Sequence, residues 1–92
     1  MKENHPMPGQ EMPKYRCHKV VHALKIERLE VPDDPSLGLL VVPADEGFAP
    51  FHVDVEWVGR HTPEAGGYYV VYEDGYTSFS PGVPFENGYT RL

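Results

Sequence analysis

Residues 66–81 contain two aromatic and β-branched runs on either side of Asp74-Gly75. No other stretch limits the fold as tightly. Tyr68, Tyr69, Val70, Val71 and Tyr72 lead into the turn, and Tyr76, Thr77, Ser78 and Phe79 lead out of it. An Asp-Gly pair between such runs marks a tight hairpin, because glycine accepts the positive φ that hairpin turns demand. The spacing predicts strands over residues 67–73 and 76–80. Tyr69, Val71 and Glu73 then share one face, and Tyr68, Val70 and Tyr72 share the other.

The rest of the chain is read around this ribbon. Ninety-two residues make one domain with a thin core. Ten Pro and nine Gly suit a turn-rich β fold. Residues 1–13 show no periodicity and read as a flexible arm, leaving residues 14–92 as the domain. Residues 14–30 read as a long strand with imperfect alternation. Pro32, Asp33, Asp34 and Pro35 form a turn, residues 37–43 a short apolar strand, and residues 44–47 a second turn. Residues 51–61 carry two signals. Phe51, Val53, Val55 and Trp57 alternate with polar residues, as in a strand. Asp54 is a good N-cap, and the spacing of Val55, Trp57, Val58 and His61 suits a helix. The helix is preferred over residues 54–61, ended by Thr62-Pro63. Ser80-Pro81 reads as an N-cap followed by proline in the first turn. That predicts a short helix over residues 81–87 closed by Gly88, with a last strand over residues 89–92. The expected class is α+β: a small bent, barrel-like antiparallel sheet of four or five strands with one or two short helices.

Charge is unevenly placed. The net charge of −6 disfavours general nucleic-acid binding. Yet residues 14–30 carry +3, whereas residues 31–92 carry −8. The basic stretch either neutralises acidic neighbours or binds an anion. A single cysteine, Cys17, rules out an intrachain disulfide. No apolar run approaches the length of a membrane span, and no signal peptide is visible.

Catalytic patterns are weak. His18 and His22 have helical ligand spacing but lie on a predicted strand, and no thiolate or carboxylate completes a metal set. The pairs Asp33-Asp34, Asp45-Glu46 and Glu73-Asp74 sit in turns, where aspartate bonds local backbone. No serine stands in a nucleophile elbow, and Gly66-Gly67 lacks the lysine and helix of a phosphate loop. Neither an enzyme nor a cofactor is expected. The dense feature is aromatic. Tyr residues often present one apolar and one wet end, and such rings stack on bases or anchor protein partners. Arg16, Lys19 and Arg28 for phosphate, with Trp57, Tyr72 and Tyr76 for stacking, therefore form the candidate ligand set.

Several of these residues also carry a family resemblance. Lys14-Tyr15-Arg16 before a Val-Val strand resembles the opening of a group of small phage-encoded proteins of uncharacterised role. So do His61-Thr62-Pro63, the hairpin motif from Gly66 to Tyr76, Ser78-Phe79-Ser80-Pro81, and Phe85-Glu86-Asn87-Gly88-Tyr89. Similar sequences carry Ala and Glu where Gly82, Val83 and Pro84 stand here, which leaves the length of the last helix open. The resemblance implies a phage accessory protein acting in the host bacterial cytoplasm. By analogy with small β-rich phage proteins, it would sequester a nucleotide-derived immune signal without turning it over. Two alternatives stand beside this: a module that inhibits a host protein, and a minor virion or assembly component. The exposed ribbon and basic strand also lead us to expect a homo-oligomer.

Overall fold

The structure is a computed structural model, described here for residues 12–92. The first eleven residues of the expected arm lie outside the described residues. Five strands form one antiparallel sheet in the order β3-β2-β1-β4-β5. They are β1 (His22–Glu30), β2 (Leu39–Pro43), β3 (Phe51–Val53), β4 (Tyr68–Val71) and β5 (Thr77–Ser80). Two helices complete the α+β fold: α1 (Val55–His61) and α2 (Gly82–Gly88). The sheet curls into a half-barrel.

β1 is the central strand and serves two partners. Its first half pairs with β4, from His22↔Val71 to Lys25↔Tyr68. Its second half pairs with β2, from Ile26↔Pro43 to Glu30↔Leu40. A β-bulge interrupts the register between Ile26 and Arg28. The extra residue bends the strand and shifts parity by one. Ile26 and Leu29 can therefore both face the core, which explains the imperfect alternation of the sequence. At the crossover the Ile26 N–H donates to Gly67 O (2.8 Å), and Gly66 N–H donates to Ile26 O (2.7 Å).

The main core cluster lies on one face of the sheet, and Val70 is buried on the other. Ile26, Val41, Val53 and Trp57 are buried, with Leu29, Leu39, Phe51, Val58, Tyr69 and Phe79 packed around them. Strand alternation delivers these residues: Leu39 pairs with Val53 and Val41 with Phe51, while Tyr69 pairs with Phe79. α1 closes this face through Trp57. Asp54 Oδ1 accepts the Trp57 N–H at 2.7 Å, capping the helix and fixing where the indole enters. The indole N–H donates to Thr77 Oγ1 at 3.0 Å, tying α1 to β5. Both signals in residues 51–61 are therefore real: β3 uses the alternation, and α1 begins at the Asp54 cap.

Several boundaries differ from those the sequence predicts. The first strand begins at His22, not at residue 14, because the β4–β5 hairpin turns back at residues 73–75 and offers residues 12–21 no strand to pair with. β2 begins at Leu39, since Asp34 caps a 3-10 turn at Pro35–Leu37. Gly38 then turns the chain at φ 86 against the Val53 carbonyl, where a side chain would not fit. Thr62 ends α1 in the left-handed region (φ 41) rather than in extended backbone. The N-cap of α2 is Pro81, without a side-chain bond, and Ser80 stays in β5. Residues 89–92 form no strand; the Tyr89 N–H instead donates to Phe85 O at 2.9 Å. α2 survives Pro84 because a proline in the first turn forfeits no intrahelical bond.

Two stability outcomes follow from the Trp57 and Gly67 contacts. Thr77→Val should lower stability by about 1–2 kcal/mol by stranding a half-buried indole N–H, read as the urea midpoint. Gly67→Ala should cost at least about 1–3 kcal/mol, because its Cβ would lie 2.2 Å from the Phe79 ring and 2.9 Å from Ser80 O.

Candidate functional site

Two concave regions flank the exposed end of β1. The first lies at the hairpin tip. Lys19, Val20, Tyr72, Glu73, Asp74 and Tyr76 line an open cleft of about 470 Å3. Local bonds set this tip. The Tyr72 N–H donates to Tyr76 O, and the Gly75 N–H to Tyr72 O, both at 2.9 Å. Asp74 Oδ1 accepts the Tyr76 N–H at 3.0 Å, and Gly75 supplies φ 89. The two tyrosine rings stack with centroids 6.0 Å apart. The Lys19 ammonium sits 5.4 Å from the Tyr72 centroid, a cation–π distance. Behind them His61 packs against Trp57 and Tyr76, at 4.7 Å and 6.2 Å. Its Nε2 is buried without a partner among the described residues.

The second region lies on the sheet face opposite the core. Lys25 and Tyr68 are register partners, so their side chains emerge on this face, where α2 packs. Tyr68 stacks on Phe85 (4.2 Å, 22°), and Phe85 on Tyr89 (4.6 Å, 18°). The Glu86 carboxylate accepts from both Lys25 Nζ (2.9 Å) and Tyr68 Oη (2.7 Å). The ladder borders a cleft of about 890 Å3 that runs from Lys19 to the C-terminal residues. The Lys25 bond, then that of Tyr68, holds the Glu86 carboxyl below its usual range. The Glu86 bond raises Lys25, and it also raises the Tyr68 hydroxyl. None of the ladder residues is among the six candidates that the sequence offers. The ladder's signal was the four-residue spacing of Phe85 and Tyr89, which shares a helix face.

The structure brings together three of the six candidate ligand residues: Lys19, Tyr72 and Tyr76. Arg16 is exposed in the extended segment before β1. Arg28 lies six residues beyond His22 along β1, about 20 Å away. Its guanidinium is taken up by Glu30 (2.7 Å) and Glu27 (3.2 Å). Trp57 is only 9% exposed; its ring fills the core and has no face to offer a base. Within the tip cleft one ammonium faces the Glu73 and Asp74 carboxylates. That lining carries more acid than base. Among the described residues no group of three His, Cys, Asp or Glu side chains could hold a metal ion. No helix there is long and apolar enough to cross a membrane.

No protein-family model matches the chain, and no curated protein matches it. Among solved structures, the fold is similar to that of the monomeric form of the phage L decoration protein, determined in solution by NMR. The TM-score is 0.60 at 25% sequence identity, over 78% of this chain and 52% of that one. The chain thus spans about half the length of that protein. The structural likeness is to a phage protein, and specifically to one that decorates.

The Lys25–Glu86–Tyr68 cluster has a definite pH signature. A carboxyl depressed by folding stabilises above its unfolded value, near 4.5, and that contribution is lost as pH falls through the lower folded value. Glu86→Gln should therefore be slightly less stable than the parent at pH 7. The gap should close as pH falls below the usual carboxylate range, through the lowered Glu86 value, and shrink in high salt. Urea midpoints measured across pH and salt check this.

Proposed function

We propose that this chain is a phage decoration protein, acting without turnover by docking on the outer surface of a phage particle. One observation carries the reading: the fold likeness over 78% of the chain to the phage L decoration protein. The geometry is consistent with such work. The surface offers aromatic ladders and charged edges, and the clefts hold no converging acid–base or nucleophile pair. The net charge of −6 keeps such a protein soluble and steers it toward a basic partner surface. This reading corresponds to the virion-component alternative of the sequence analysis. It replaces sequestration of a nucleotide signal, for which half of the ligand set is dispersed and the remaining cleft is acidic.

Particle association is the direct test. Purified particles of the encoding phage should carry the protein at stoichiometric rather than trace level, read by quantitative mass spectrometry after gradient purification. Particles stripped of it should rebind added protein to saturation. Intact particles that lack the protein and do not bind it at micromolar concentration would sink the reading. A parallel thermal-shift panel of cyclic and linear nucleotides should leave the melting temperature unchanged.

A further inference from the structure

We infer that residues 14–20 form an assembly strand that pairs with the free edge of β5 in a second copy of this chain. The inference stands apart from particle docking and could fail or hold independently of it. Residues 12–21 carry on from β1 in no regular structure, and residues 12–20 are exposed. Tyr15 is 94% exposed. The segment includes Tyr15, Val20 and Val21, which favour strands, and its backbone groups have no ladder partner among the described residues. An extended stretch of this kind is a ready template for strand addition.

The partner edge is selected by elimination. The sheet has two edges, β3 and β5. β3 has three residues, between Pro50 and Asp54, and proline and charge blunt an edge. β5 is one residue longer, Thr77 to Ser80; Pro81 follows it, but no charged residue adjoins the strand at either end. Alternation from the Tyr72–Tyr76 bond turns the backbone groups of Thr77 and Phe79 away from β4, toward the open side.

Charge then decides the occupant. The segment carries Lys14, Arg16 and Lys19 and no acid, while residues 31–92 carry −8. Pairing two segments with each other would set cations opposite cations, which is destabilising. Pairing a segment with β5 sets them beside an acidic body, with Glu73 and Asp74 at the near end of that strand. The segment does not reach its own β5. β4 lies between β1 and β5, and residues 15–21 contain no glycine or proline to reverse the chain. The acceptor is therefore β5 of a second copy, and reciprocal exchange closes the assembly symmetrically.

The test uses the full chain and its single cysteine, Cys17, which is exposed. Sedimentation equilibrium at low salt should show a reversible oligomer that weakens as salt rises. Arg16→Pro should weaken association by about tenfold or more while leaving the circular dichroism and melting temperature of the monomer unchanged. In Ser78→Cys protein, oxidation should join residue 17 of one copy to residue 78 of another, identified by peptide mass spectrometry. A monomer up to millimolar concentration would overturn the inference. So would an unchanged dissociation constant in Arg16→Pro, or crosslinks that join residue 17 only to residue 17.

Discussion

Everything in this fold depends on β1 serving two halves of the sheet at once. Ile26 is the pivot. It is fully buried, and both of its backbone groups bond the 66–67 turn. One residue further on, the bulge shifts the strand into register with β2. Burying an Ile side chain contributes roughly 1.5–3 kcal/mol, but its structural effect is larger than that figure. Without the shift, Leu29 would point away from Val41 and the β2–β3 half would lose its shared core. The bulge also increases local twist, which curls a short five-stranded sheet so that one seven-residue helix can cover it.

That economy explains the difference between the two faces. The core face is closed by Trp57, which is bonded to Thr77 at one end and positioned by the Asp54 cap at the other. Among the described residues the opposite face is covered by α2, a helix too short to be stable alone. It is held by stacked rings and one carboxylate, over a face where Val70 is buried. The Lys25–Glu86–Tyr68 cluster is solvent-exposed, so its electrostatic contribution is modest and salt-sensitive. Stacking of Tyr68, Phe85 and Tyr89 carries more of the attachment. A thin core of this kind leaves much aromatic and charged surface available for contact with something large.

Charge distribution follows the same division. Within the folded part, basic residues are neutralised locally: Arg28 by Glu27 and Glu30, Lys25 by Glu86, and Arg91 by Asp45. Lys14 and Arg16 lie before the sheet begins. The long basic strand of the sequence is therefore two things, a paired half inside the fold and an extended half beyond it.

The sequence by itself determined the hairpin, the Asp54-capped helix and the α+β class, because each rests on local chemistry. Asp74-Gly75 demands its turn, Asp54 satisfies the first N–H groups of α1, and alternation sorts Tyr68 from Tyr69. Tertiary structure alone decided where β1 begins and bends, since its neighbours, not its own residues, end its pairing at His22. It alone placed Trp57 in the core, because indole burial depends on Thr77, twenty positions away. It alone separated Arg28 from Lys19. Sequence proximity set them on one strand, but only the strand's extended rise shows that no single ligand spans them with Tyr72 and Tyr76. The aromatic ladder was half legible: helix spacing joined Phe85 to Tyr89, and only the register of β1 with β4 supplied Tyr68 and Lys25.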